Sequence, residues 1–72
     1  MKIKNKIKIT VNGKQIQVIP NFSLKSLITK LKMPINKIAI ELNKKIIDKK
    51  KISKIYLQNK DKIEIVHFIG GG

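Results

Sequence analysis

The stretch from Lys6 to Val18 constrains the fold most, because it predicts two paired strands. Apolar and polar residues alternate on both sides of Asn12-Gly13. A period of two is typical of a half-buried strand, and Asn-Gly favours a two-residue turn because both residues tolerate positive φ. The sequence therefore predicts a β-hairpin with one apolar face, formed by Ile7, Ile9, Val11, Ile16 and Val18.

The apolar period changes to that of a helix after Pro20-Asn21. Ser23 can cap the helix by accepting a hydrogen bond from a first-turn amide. Met33-Pro34 ends it, because the residue before a proline avoids the α region. The helix would bury one apolar stripe, which consists of Leu24, Leu27, Ile28 and Leu31.

Three further strands are predicted: Ile38 to Leu42, the short Ile46-Ile47, and Lys62 to Ile69. Residues 48 to 61 predict irregular structure with a helical turn, in which Tyr56 would anchor the loop over the core. The order ββαββ predicts an α+β fold of the β-grasp (ubiquitin-like) type. In it one main helix crosses one face of a mixed sheet, and the first and last strands pair in parallel.

The last strand has two different faces. Alternation directs Ile63, Ile65 and His67 inward, with His67 partly buried at the end of the sheet. Val66 and Phe68 would lie with Ala39 on the open face. No element is left to cover that face, so we expect these three residues, Ala39, Val66 and Phe68, to form a partner surface.

Composition excludes several classes of site. The 72 residues predict a single domain, 1–72, with residues 1–5 as an N-terminal extension. Cysteine is absent, and the one histidine and four carboxylates have no metal-ligand or acid–base spacing. We therefore predict no catalytic residues and no metal site. The sequence also contains no apolar run long enough to span a membrane.

The net charge of +13 has two explanations, which remain open. All 17 basic residues are lysine, and they accompany abundant isoleucine and asparagine, as an AT-rich genome would produce. The alternative is an electrostatic role with an anionic partner. The absence of arginine and the presence of only three aromatic residues argue against a nucleic acid as that partner.

The chain ends on Gly70, Gly71 and Gly72, which we expect to be a flexible tail. Without side chains, the only chemical group that this tail offers is the α-carboxylate of Gly72. A nucleotide-dependent enzyme could activate that carboxylate as an acyl-adenylate, which sulfur could convert to a thiocarboxylate. Glycines suit this use because an extended chain without Cβ atoms passes through a narrow tunnel.

Three stretches carry a resemblance to a known family: "ITVNGK" (9–14), "IAIELN" (38–43) and "DKIEIVHFIGGG" (61–72). Together they resemble the ThiS-like sulfur carrier proteins of thiamine biosynthesis. The resemblance implies that Gly72 becomes a thiocarboxylate, that Gly70 and Gly71 enter a partner's active site, and that Val66 and Phe68 face a partner. The carrier itself would bind no cofactor.

The resemblance also implies the partners. A ubiquitin-activating-like adenylyltransferase would use ATP, a sulfur donor protein would supply sulfur, and thiazole synthase would receive it to build the thiazole of thiamine. The carrier is then a co-substrate and not an enzyme. Its expected location is the cytoplasm of a bacterium, or the plastid stroma if an organelle encodes it.

The sequence departs from the family pattern at three turns or caps. Ser26 replaces an acidic residue in the helix, which removes the capping box, and Lys44 and Lys60 replace turn glycines. Three alternative functions remain: a molybdopterin-type sulfur carrier, a small basic RNA-binding β-grasp module, and a ubiquitin-like conjugated protein.

Overall fold

The computed structural model describes residues 5–68. The predicted extension of the last strand to Ile69, and the glycine tail 70–72, lie outside the described residues, as do residues 1–4. The strands are β1 (Ile7–Val11), β2 (Lys14–Val18), β3 (Ile38–Leu42), β4 (Lys45–Ile46) and β5 (Lys62–His67); the helices are α1 (Leu24–Lys30) and two 3-10 helices, Ile35–Lys37 and Lys49–Lys54.

The five described strands form one mixed sheet in the order β2-β1-β5-β3-β4. β1 and β5 pair in parallel, with Thr10 opposite Lys62 and Val11 opposite Ile63. The β1–β2, β3–β4 and β3–β5 pairs are antiparallel. The predicted α+β class and β-grasp arrangement are confirmed, and β5 occupies the centre of the sheet.

One apolar core lies between the sheet and the helical elements. Most of the predicted inward residues of the strands fill it, although Ile7 and Ile16 are half-buried and His67 is exposed. α1 contributes three side chains from its apolar stripe. The buried set is Ile9, Val11, Val18, Leu24, Leu27, Ile28, Ile38, Ile40, Ile52, Leu57, Ile63 and Ile65. Such burial stabilises the fold by roughly 1.5–3 kcal/mol per large side chain.

The prediction that Tyr56 anchors the loop over the core is wrong. Its side chain is 54% exposed, whereas Ile52 and Leu57 are buried. The segment around Tyr56 is extended: the N–H of Leu24 donates to Ile55 (2.8 Å) and the N–H of Leu57 donates to the carbonyl of Phe22 (2.8 Å). Because side chains alternate along extended backbone, Leu57 points inward and Tyr56 points outward.

Ser23 caps α1 as predicted. Its Oγ accepts a hydrogen bond from the N–H of Ser26 at 3.0 Å. The side chain of Ser26 lies 3.0 Å from the same Oγ, so its hydroxyl pairs with the capping hydroxyl and does not reach back to the Ser23 amide as a glutamate would. The helix therefore keeps one half of a capping box.

The backbone angles of the turns show why glycine would suit two of the positions at which the sequence departs from the family pattern. Asn12 and Gly13 have φ of 49° and 82°, as the predicted hairpin turn requires. Lys44 and Lys60 also have positive φ, 73° and 75°. Both lysines thus occupy the left-handed region in which glycine avoids a Cβ clash.

Candidate functional site

The open face of the sheet carries exposed apolar residues on its central strands. Ala39 is the Cα partner of Val66 in the β3–β5 pair, so both side chains project from the same face. Val66 is 57% exposed and Phe68 is 44% exposed, while Ala39 is half-buried. The structure therefore places Ala39 and Val66 side by side on the open face, and Phe68 is exposed two residues beyond Val66. The role of these three residues as a partner surface stays a prediction.

Phe68 continues the sheet one residue past the end of β5. Its N–H donates to the carbonyl of Lys37 at 2.7 Å. Lys49 Nζ lies 5.7 Å from the centroid of the Phe68 ring, within the range of a cation–π contact. The same Nζ donates to the carbonyls of Ile35 (3.0 Å) and Ile38 (2.7 Å), so the chain is held in place up to Phe68.

The Asn12 side chain extends the parallel β1–β5 pair. Asn12 Oδ1 accepts a hydrogen bond from the N–H of Ile65 at 2.7 Å, and Asn12 Nδ2 donates to the carbonyl of Ile65 at 3.3 Å. One side chain thus satisfies both backbone groups of a residue in the central strand. Sequence reasoning assigned Asn12 only to the turn, because a contact over 53 positions leaves no local signal.

The start of β5 is fixed by a second asparagine. Asn43 Oδ1 accepts from the N–H of Lys62 at 2.9 Å, and Asn43 Nδ2 donates to Asp61 Oδ1 at 2.9 Å. Asp61 Oδ2 accepts from the N–H of Gln58 at 2.7 Å. Asparagine side chains therefore hold β5 at its start, through Asn43, and at its middle, through Asn12.

Sequence reasoning missed Ile46 as a member of the open face. Ile46 is the Cα partner of Glu41 and is 79% exposed, more than any other large apolar side chain of the described chain. Glu41 is in turn the Cα partner of Glu64. The position of Ile46 on this face depends on the register of β4 against β3, which the sequence alone did not provide.

The prediction that His67 is partly buried is wrong. His67 is exposed, although it lies opposite Ile38, which is fully buried. The buried layer on β5 ends at Ile65, which is 8% exposed. Alternation gave the correct side of the sheet for His67, but the strand extends one step beyond the core.

The other surfaces of the described chain offer less chemistry. A cleft of about 420 Å³ beside α1 is open to solvent and is lined by Phe22, Lys25, Ser26, Thr29 and Lys30. Within residues 5–68, no group of three acidic or histidine side chains is arranged to hold a metal ion. No helix in that range is long and apolar enough to cross a membrane.

Comparison with known proteins extends the picture to the glycines, which lie outside the described residues. A family model described as the ThiS family matches residues 5–72. The chain is 55% identical over 38 residues to the sulfur carrier protein ThiS of Bacillus subtilis, covering 51% of this chain and 58% of that protein.

A longer relative and a solved structure also match. The chain is 36% identical over 66 residues to a thiazole synthase of Magnetococcus marinus, a match that covers 92% of this chain and 20% of the relative. The chain thus spans about a fifth of that relative's length. The crystal structure of the thiamine biosynthesis protein ThiS from Geobacter metallireducens superimposes with a TM-score of 0.79 at 26% identity, covering 92% of this chain and all of that one.

The fold and the sequence matches agree with each other. The solved ThiS structure shares the β-grasp fold over 92% of this chain. The family model includes the central strand β5 and the three glycines that follow it. The resemblance drawn from the three sequence stretches is confirmed, and the chain belongs to the ThiS family.

Proposed function

We propose that this protein is a sulfur carrier for the thiazole moiety of thiamine, and that the carboxylate of Gly72 carries the sulfur. The observation that supports it most is the family match over residues 5–72, which includes both the β-grasp fold and the glycine tail. The protein is a co-substrate in this proposal. The catalytic groups belong to its partners.

The proposed chemistry has three steps. An oxygen of the Gly72 carboxylate attacks the α-phosphorus of ATP, which forms an acyl-adenylate and releases pyrophosphate. A persulfide sulfur of a donor protein then attacks the activated carbonyl carbon and displaces AMP, which forms an acyl disulfide. A thiol attacks the donor-side sulfur of that bond, which forms a new disulfide, supplies the two electrons and releases the thiocarboxylate on Gly72. Activation is needed because a terminal carboxyl group is ionised at neutral pH and its anion is a poor acyl donor.

The described part of the chain supports a division between a docking body and a reactive end. Phe68, the last described residue, donates its N–H to the carbonyl of Lys37. Gly72 is four positions beyond Phe68, and an extended chain covers at most about 3.5 Å per residue. The reacting carbon therefore lies within about 14 Å of Phe68. An enzyme that binds the open face can receive that carbon only if its active site lies within this distance.

Three partners follow from the proposed chemistry. A ubiquitin-activating-like adenylyltransferase supplies the ATP-dependent step, a sulfur donor protein supplies sulfur, and a thiazole synthase accepts it. The proposal of a thiazole synthase is supported by the relative of that name, in which about a fifth of the length matches this chain. The open-face residues Ala39, Val66 and Phe68 would dock these partners in turn.

Pyrophosphate exchange tests the first step. The adenylyltransferase encoded by the same genome is incubated with ATP, labelled pyrophosphate and this protein. We expect label to enter ATP only when the protein is present, and we expect deletion of Gly71 and Gly72 to abolish the exchange. Exchange that persists at the full rate after this deletion would exclude Gly72 as the adenylated residue.

A further inference from the structure

The open face carries two of the chain's four carboxylates side by side. Glu41 and Glu64 are directly opposite in the antiparallel β3–β5 pair, so their Cβ atoms are about 5 Å apart and project from the same face. Like charges in this arrangement destabilise a sheet. The pair is unexpected in a chain with 17 lysines and four acidic residues, where a lysine opposite a glutamate would be favourable.

The other two carboxylates both have structural roles. Asp48 accepts the N–H of Lys50 at 3.0 Å and caps the second 3-10 helix, and Asp61 accepts the N–H of Gln58. Among the side-chain hydrogen bonds of residues 5–68, none involves Glu41 or Glu64. Within the described chain, neither glutamate therefore has a hydrogen bond that offsets the repulsion of the pair, and the lysine on the same face of β5 is Lys62, two residues before Glu64.

Apolar side chains border the pair on two sides. Ile46 lies opposite Glu41 on the edge strand β4 and is 79% exposed. Ala39 and Val66 form the next outward-facing row along β3 and β5. An arginine or lysine side chain matches such a site, because its charged head binds carboxylates while its methylene stem packs on apolar groups. Arginine can also bind carboxylate oxygens with two parallel hydrogen bonds.

We propose that the open face binds one cationic side chain of the adenylyltransferase between Glu41 and Glu64, with Ile46 and Val66 packed against its stem. This rests on the proposed function, in which the open face docks that enzyme. The carboxylates determine where the enzyme binds on the face, while the apolar residues contribute buried area. The cost of the like-charge pair in the free protein is relieved when the cation binds.

General charge attraction makes the opposite prediction. A protein with a net charge of +13 is attracted to any acidic partner, so removing two carboxylates would tighten binding to it. A local cationic contact instead predicts that their removal weakens binding. The sign of the change in affinity therefore separates the two explanations.

The experiment measures the dissociation constant for the purified adenylyltransferase with ATP and Mg²⁺ by calorimetry. We expect the double variant Glu41→Gln/Glu64→Gln to bind about tenfold more weakly. The control variant Lys30→Gln, at the exposed end of α1, should change affinity about twofold or less. Affinity of the double variant that equals or exceeds that of the unsubstituted protein would overturn the proposal.

Two further measurements keep the result interpretable. The double variant should unfold at the same temperature as the unsubstituted protein or at a higher one, because a like-charge pair has been removed. If its unfolding temperature is lower, the single variant Glu64→Gln replaces the double variant in the binding assay. Pyrophosphate exchange with the unsubstituted protein tests the proposed function separately. Exchange that occurs while the double variant binds undiminished would leave the proposed function intact and reject only the cationic contact.

Discussion

Phe68 lies opposite Lys37, and its N–H donates to the Lys37 carbonyl at 2.7 Å. This hydrogen bond continues the β3–β5 register, in which Ile38 faces His67, beyond the end of both strands. Lys49 lies against the Phe68 ring from the second 3-10 helix. The position of Phe68, the last described residue, is thus determined by contacts with two helical elements that are distant from it in sequence.

Lys49 should be a stabilising lysine in a chain where most lysines are exposed. Lys49→Met removes two hydrogen bonds to the carbonyls of Ile35 and Ile38 and should lower the free energy of unfolding by about 1–2 kcal/mol. Chemical denaturation measures this change. The neighbouring variant Lys50→Met, at an exposed side chain, is the control; an equal loss in both variants would show that the contacts of Lys49 are not responsible.

Val66 should contribute to partner binding more than to stability. Because Val66 is 57% exposed, Val66→Lys should leave the unfolding temperature nearly unchanged while weakening binding to the adenylyltransferase at least about tenfold, or about 1.4 kcal/mol. Ile19 is 54% exposed and follows the edge strand β2. Ile19→Lys is therefore the matched control, and similar weakening by both variants would argue against the open face as the docking surface.

Asn12 should stabilise the central parallel pair. Asn12→Ala loses both hydrogen bonds to Ile65 and places alanine at a φ of 49°. The free energy of unfolding should therefore fall by about 1–3 kcal/mol. Asn12→Gly loses the same bonds but relieves the backbone conformation, and it should be less destabilised than the alanine variant. Denaturation curves in which both variants match the original protein would contradict the assigned role.

Replacement of Lys44 by glycine should stabilise the protein. Its φ of 73° costs a residue with a Cβ atom roughly 1–2 kcal/mol, and the extra freedom of glycine in the unfolded chain returns about 0.4–1 kcal/mol of that. Lys44→Gly should therefore gain about 0.5–1 kcal/mol, which calorimetry would show as a rise of several degrees in Tm. Lys44→Ala removes the same charge but keeps the Cβ atom, so a gain of equal size there would assign the effect to charge.

Much of the fold follows from local patterns. The hairpin at Asn12-Gly13 and the helix capped by Ser23 depend on neighbouring residues, and alternation identified the inward residues of β5 up to Ile65. The error at His67 arose because alternation gives the side of a sheet but not the extent of the core. The error at Tyr56 has a related cause, since the pairing of its segment with residues 22 to 24 is non-local.

The candidate site was less accessible to sequence reasoning. Val66 and Phe68 could be assigned to the open face from the period of the last strand alone. The juxtaposition of Glu41 with Glu64, and of Ile46 with Glu41, depends on the register of three strands. Register is decided by the packing of the whole sheet and by its turns, so no short stretch of sequence contains it.

The most direct test of the central claim is the intact mass of the protein after incubation with the adenylyltransferase, ATP and the sulfur donor protein. Exchange of one carboxylate oxygen for sulfur should raise the mass by about 16 Da, and fragmentation should place the added mass on Gly72. An unchanged mass in the presence of all three components, or added mass on any other residue, would contradict the account.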